Sequence, residues 1–225
     1  MCHVCGNADF GQIDVLWDKL IEEWQLSKYE VDYINRQQGL FCKNCSSNLR
    51  SIALAKAIVC SYGQRGTLLQ FVETSAAKRL RVLEINAAGT LAPILACLPL
   101  HKQVTYPAYD MTKLDIELAS FDLIVHSDTL EHIENPRLGL SECRRVLAEE
   151  GRCIFTAPII VDRLTRFRAM LPRSYHGLPA QVCEDHIVHT EFGADIWKYV
   201  IQAGFTACII YCVDYPAGLA VEARA

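Results

Sequence analysis

The chain has 225 residues, enough for one α/β domain with a short appendage. Apolar residues make up 51% and charged ones 21%, as in an ordinary soluble globular protein, and the formal charge of −4 argues against a broad phosphate-binding footprint of clustered Lys and Arg. No apolar run reaches the ~18 residues that span a bilayer, and no charged-then-apolar leader opens the chain, so no membrane contact and a cytoplasmic location are expected.

In chain order, residues 1–48 hold Cys2, Cys5, Cys42 and Cys45 as two Cys-x-x-Cys pairs. Between the pairs Ile13, Leu16, Trp17, Leu20, Ile21 and Trp24 recur at the spacing of one helix face. Asn48 is placed to cap a helix over 49–62, which Gly63 and Gly66 end, and a further helical run covers 68–77. From Arg81 strands and helices alternate. Strands are predicted over 81–85, 104–106, 121–126 and 152–156, with a helix to about Cys97 and another over 136–147 that opens on Pro136 and stops at Gly151. A long connection, 158–190, precedes a helix over 191–203 and a last strand over 206–213. Such alternation predicts a parallel sheet with crossover helices. The remaining cysteines stand among apolar neighbours and read as core, in a reducing compartment.

A double Cys-x-x-Cys pattern, with Gly6 after the first pair, can set four thiolates tetrahedrally around one Zn²⁺. Four thiolates saturate the ion, so the expected role is structural; two unrelated pairs or a redox dithiol are the competing readings. The chain is accordingly divided into a zinc-knuckle subdomain, 1–48, and a main domain, 49–225, with 158–190 as an insert over the substrate side.

The segment Val82-Leu83-Glu84-Ile85-Asn86-Ala87-Ala88-Gly89-Thr90-Leu91 is a strand, an acidic residue and a tight turn. It is followed in order by Asp110-Met111, by Phe121-Asp122-Leu123-Ile124-Val125, by Leu130-Glu131-His132, by Arg145-Val146-Leu147 with Gly151, and by a strand ending at Pro158. Over roughly 80–160 this order resembles the class I, Rossmann-like S-adenosylmethionine-dependent methyltransferases. The resemblance implies a mostly parallel, seven-stranded-type sheet flanked by helices. It also implies that Glu84 and the backbone of Asn86, Ala87, Ala88 and Gly89 line the methionine end of the cofactor. Asp110 and Met111 would meet the adenine, and His126, Ser127 and Asp128 would floor the sulfonium pocket. Two departures stand out: Asn86 and Ala88 replace glycines of the family turn, and the second strand ends in Thr105-Tyr106 where the family carries an acid.

Tyr175-His176-Gly177 in the insert and Glu191-Phe192-Gly193 just after it resemble a bacterial methyltransferase group with an N-terminal double Cys-x-x-Cys, associated with glycan and secondary-metabolite pathways. A small-molecule or glycan acceptor is therefore expected. His176 is the first candidate base, with His132, His186 and His189 behind it. Arg163, Arg166, Arg168 and Arg173 either hold an acidic group of the substrate or face solvent. Two other readings are a zinc-ribbon RNA methyltransferase, against which the acidic residues of 1–48 speak, and a catalytically silent binding or scaffold protein, which the lost glycines motivate.

Overall fold

The computed structural model describes residues 1–175 and 184–225. Near the N-terminus β1 (Phe10–Gln12) pairs antiparallel with β2 (Leu40–Cys42), bracketing α1 (Asp18–Trp24) and α2 (Lys28–Gly39). There follow α3 (Leu49–Ser61), α4 (Leu68–Val72), β3 (Val82–Ile85), α5 (Ala92–Leu95), β4 (His101–Val104), β5 (Phe121–Ser127), α6 (Pro136–Val146) and β6 (Leu147–Thr156). The remaining elements are β7 (Ile159–Ile160), β8 (Arg166–Phe167), β9 (Thr190–Gly193), α7 (Trp197–Gln202), β10 (Ala207–Cys212) and β11 (Leu219–Arg224).

The main sheet has six strands among the described residues, in the order β10-β11-β6-β5-β3-β4. β4, β3, β5 and β6 run parallel, and β11 is antiparallel to both its neighbours. The mostly parallel α/β sheet is thus present, with six strands in place of the seven-stranded type. Strand order reverses at β3, which has β4 on one side and β5 on the other, and the crevice above such a switch point is where ligands of open α/β sheets bind.

Helix α3 runs behind this sheet. Asn48 caps it as expected, its side chain accepting from Ser51 N at 3.0 Å. Ile52, Leu54, Ala57, Ile58 and Val59 are all buried, so the helix is covered on every side until Cys60 emerges in its last turn. Cys2, Val4 and Cys42 of the N-terminal segment share its apolar cluster, together with Val82, Leu123 and Ile154 of the sheet.

Several boundaries differ from expectation for local reasons. The first helix starts at Asp18, leaving Ile13 59% exposed. α2 lacks a strong apolar stripe and is marked instead by a reciprocal capping box of Ser27 and Glu30 (Glu30 N to Ser27 Oγ 3.2 Å, Ser27 N to Glu30 Oε2 2.7 Å). The run over 68–77 is helical only to Val72, and β4 lies at 101–104 instead of 104–106. β6 begins directly at Leu147, so Gly151 sits inside the strand at an irregularity in the β5–β6 register instead of stopping α6. The helix expected over 191–203 begins at Trp197, because Thr190–Gly193 is claimed by a small sheet of order β7-β9-β8. Gly193 is required there: a Cβ would stand 2.1 Å from the Arg163 carbonyl oxygen. β11 has no counterpart in the pattern of the sequence. Cys143 and Cys153 are buried as expected, but Cys60 and Cys97 are exposed; Cys183 lies outside the described residues.

The insert is tied to α1 and α2 across a long sequence separation. Arg163 meets Glu30 through Nε (2.6 Å) and Nη2 (2.9 Å), and also donates to the carbonyls of Trp24 and Gln25. Trp24 Nε1 donates to Ser174 Oγ at 2.8 Å. Burial raises the Glu30 carboxyl, but Arg163 and the Ser27 cap outweigh it, so its pKa lies below the ordinary carboxylate range. Arg163→Ala leaves Glu30 buried and unpaired and is expected to cost about 3 kcal/mol in urea unfolding at pH 7. Because the folded pKa of Glu30 is depressed, the difference between variant and wild type should shrink as pH falls through that pKa.

Candidate functional site

The turn after β3 is closed by a buried carboxylate. Glu84 is fully buried; its Oε1 accepts from Ala88 N at 2.7 Å and its Oε2 meets His101 Nε2 at 2.8 Å. Both oxygens are thus spent on the turn and on the start of β4. Ala88 is buried too, so the methyl that replaces a glycine hydrogen packs inward, away from the crevice, while Ala87 and Gly89 are exposed on the rim. Asn86 takes a left-handed conformation (φ 57°), which Asn tolerates better than most residues. Its carboxamide reaches across the strand ends, donating to Thr129 Oγ1 at 3.3 Å and accepting from Tyr106 N at 3.2 Å. Both bonds are at the long end of the usual range.

On the β4 side Asp110 is exposed, and one of its oxygens accepts from both the N–H and the hydroxyl of Thr112 at 2.8 Å. Met111 is buried beside α6. Arg145 and Glu142 of α6 hold this connection: Arg145 donates to the carbonyls of Leu114 and Ile116 at 2.8 Å, and Glu142 accepts from Leu114 N at 2.9 Å.

At the end of β5 the three expected floor residues separate. His126 is wholly buried, its ring stacked on Phe155 at 4.7 Å between centroids, and neither ring nitrogen has a hydrogen-bond partner among the described residues. Its side chain belongs to the core beneath the crevice. Ser127 shares a 2.8 Å hydrogen bond with Thr156. Asp128, with φ 48°, projects toward α3 and pairs with the buried Arg50. Arg50 also donates to Gln38 Oε1 at 2.5 Å, joining α2, α3 and β5 in one polar cluster that sequence reasoning missed. His132 stands on the 3-10 turn after β5, its Nδ1 donating to the Ile187 carbonyl at 2.8 Å. His176 lies outside the described residues.

The four N-terminal thiols are brought together. All four sulfurs lie within 4.8 Å of one another, with Cys2–Cys45 at 3.7 Å and Cys5–Cys42 at 3.6 Å. Four sulfurs about 2.3 Å from a tetrahedral ion are separated by about 3.8 Å, so the spacing suits zinc. Each pair makes the same turn, in which the residue after the second cysteine donates to the carbonyl of the first: Gly6 to Cys2 and Ser46 to Cys42, both at 2.8 Å, both with positive φ. Burial raises the Cys42 thiol, but the N–H groups of Cys45 and Asn44 and the Asn7 amide bring it down to about 6, while burial pushes Cys2 up to about 12. The knuckle reaches the crevice through Ser47, which is fully buried and bonds Thr90, just after Gly89, at 2.8 Å.

Between the N-terminal helices and the insert lies a cavity of about 530 Å³. Its walls include Trp17, Leu20 and Trp24 on one side and Pro158, Ile159 and Ile160 on the other, with Asp128 and His132 opening it toward the β5 end. Of the face read from the sequence, Leu16, Trp17, Leu20 and Trp24 line this cavity, whereas Ile13 and Ile21 are not among its lining residues. The insert arginines do not serve it as free cations: besides Arg163, Arg166 and Arg168 both pair with Glu191 and Arg173 with Glu184.

Residues 66–155, less than half of the chain, match the family model described as "Methyltransferase domain"; this stretch contains the β3 turn and β5. No curated protein matches the chain. Among solved structures it is similar to a SAM-dependent methyltransferase from Thermotoga maritima (14% identity, 78% of this chain and 89% of that one, TM-score 0.46). It is also similar to 1,6-didemethyltoxoflavin-N1-methyltransferase from Burkholderia thailandensis (17%, 70% and 76%, TM-score 0.42) and to an S-adenosylmethionine-dependent methyltransferase from Mesorhizobium loti (14%, 70% and 95%, TM-score 0.40).

The environment of His126 has a consequence for stability. Burial brings its pKa down to about 4, against the opposing pull of Glu131. A histidine depressed in the folded state favours folding fully above its unfolded pKa and loses that advantage as pH falls toward the folded one. Urea unfolding should show about 2 kcal/mol less stability at pH 5 than at pH 7 from this group. In His126→Phe, which keeps the stack on Phe155, that part of the slope should vanish.

Proposed function

We propose that the protein is an S-adenosylmethionine-dependent methyltransferase with a structural zinc in its N-terminal knuckle, acting on a small-molecule or glycan acceptor in the cytoplasm. The matched methyltransferase domain supports the first part, and the observation that carries it to a site is the glutamate-closed turn with its exposed Ala87 and Gly89 at the sheet's switch point. Bound there, the cofactor supplies an electrophilic methyl group on a sulfonium. The rim backbone of 87–89 and the Asp110 carboxyl would hold its two ends, with Ser127 and Asp128 at the β5 tip. These residues fit the cofactor with one tight point, the Asn86 carboxamide stretched between Thr129 and Tyr106, which must swing aside on its two long hydrogen bonds.

Methyl transfer is an in-line displacement, so the chain's contribution is alignment of the acceptor and removal of its proton where oxygen or nitrogen attacks. His132 suits the removal of that proton, because with Nδ1 donating to Ile187 the lone pair of the neutral ring sits on Nε2. His176 remains the other candidate for that role.

The bridging Asn86 favours one second reading, a silent fold that has closed its cofactor site. Calorimetry separates the two. An active enzyme should bind S-adenosylhomocysteine as the wild type, with Asn86→Gly tightening it about tenfold, equivalent to about 1.4 kcal/mol. Binding seen only in Asn86→Gly would establish the silent reading, and binding in neither would defeat the cofactor assignment. For the knuckle, elemental analysis of protein purified without chelator should find one zinc per chain; Cys42→Ser should lose it and melt at a lower temperature.

A further inference from the structure

The cavity beside the β5 end also says what kind of acceptor it takes. From its lining we infer that the acceptor is a neutral, largely apolar ring compound bearing a hydroxyl or ring N–H, and not a phosphorylated or nucleotide-linked sugar; this rests on the methyltransferase reading above.

Three observations carry it. First, at about 530 Å³ the cavity has the size of ordinary small-molecule sites, and its broad walls are tryptophan and aliphatic side chains, which favour flat apolar surfaces over hydroxyl-covered sugar rings. Second, the described lining offers a phosphate no guanidinium or ammonium outside an ion pair: its one arginine is Arg50, which pairs with Asp128. Arg50 also donates to Gln38, its buried Nε has no hydrogen-bond partner among the described residues, and Arg163, Arg166, Arg168 and Arg173 of the insert are not among the lining residues. A diphosphate would have to break the Arg50–Asp128 pair. Third, Gln37 lines the cavity at 1% exposure, and its Oε1 has no hydrogen-bond partner among the described residues. A buried acceptor left in that state is costly unless something donates to it, and a ligand hydroxyl or N–H satisfies it. His132, a base candidate, lines the same cavity.

Equilibrium dialysis of the full chain tests this with three probes: 2-naphthol, 2-methoxynaphthalene (the same rings without the donor) and UDP-glucose. The expected result is retention of 2-naphthol about tenfold more tightly than the methyl ether, with no retention of UDP-glucose. Gln37→Leu should remove the preference between the two ring compounds, and Leu20→Arg, which puts a charge on the apolar wall, should weaken both. Retention of UDP-glucose, loss of both ring compounds from the wild type, or a preference for 2-naphthol that survives in a Gln37→Leu chain of unchanged circular dichroism would each overturn the inference. S-adenosylhomocysteine dialysed in parallel keeps the two readings apart. Naphthol bound without it removes the methyltransferase and leaves the ring site; the reverse pattern removes the ring site alone.

Discussion

Helix α3 has almost no face to give to water, and that constraint organises the molecule. A helix apolar on all sides must be covered on all sides, and here the cover comes from the sheet, from the cysteine turns and from α2 and α4. Its first turn is the meeting point. Asn48 caps it, Arg50 crosses to Asp128 and Gln38, and the Ser51 hydroxyl would lie 3.6 Å from a Cβ placed on Gly89. The cysteine turns, the β3 turn and the cavity therefore share one helix end, and a shift of that end would be felt by all three.

Within this frame buried polar groups set the details. Glu84 closes the β3 turn because a carboxylate that deep must have both oxygens satisfied, and the Ala88 amide and His101 are what the chain offers. Arg145 and Glu142 perform the same service for the Asp110 connection, and Arg163 with Glu30 for the insert. The sequence run Glu142-Cys143-Arg144-Arg145 thus acts as a clamp on the neighbouring loop, a role its composition does not reveal.

Much of this is legible in the residues. The α/β alternation, the Asn48 cap, the β3 turn and the β5 strand follow from local pattern, because each rests on neighbours in sequence, and the convergence of the four cysteines follows from the ligand chemistry of the double pair. What escapes is of two kinds. The capping boxes at Ser27-Glu30 and Thr67-Gln70 are present as plain motifs and mark α2 and α4. The others are unreadable in principle: Thr190–Gly193 resembles a helix start until β7 and β8 are seen to claim it, and β11 depends on a gap between β6 and β10 that only the assembled sheet creates. At the site, spacing can suggest that Asn86 adopts positive φ, but not that its amide bridges three strand ends. Trp17 and Trp24 show a helix face without showing that they line a cavity.

The cavity's walls among the described residues come from the stretch 15–50 and from Pro158, Ile159, Ile160, Tyr175 and His186, all outside the matched segment 66–155; from within that segment only Asp128 and His132 take part. The machinery under the turn and the chamber beside it are therefore encoded separately, and exchanges along the Trp17–Ile160 lining leave the Glu84 clamp untouched. Such a division lets the chamber change its shape and polarity by substitution while the sheet beneath it stays as it is.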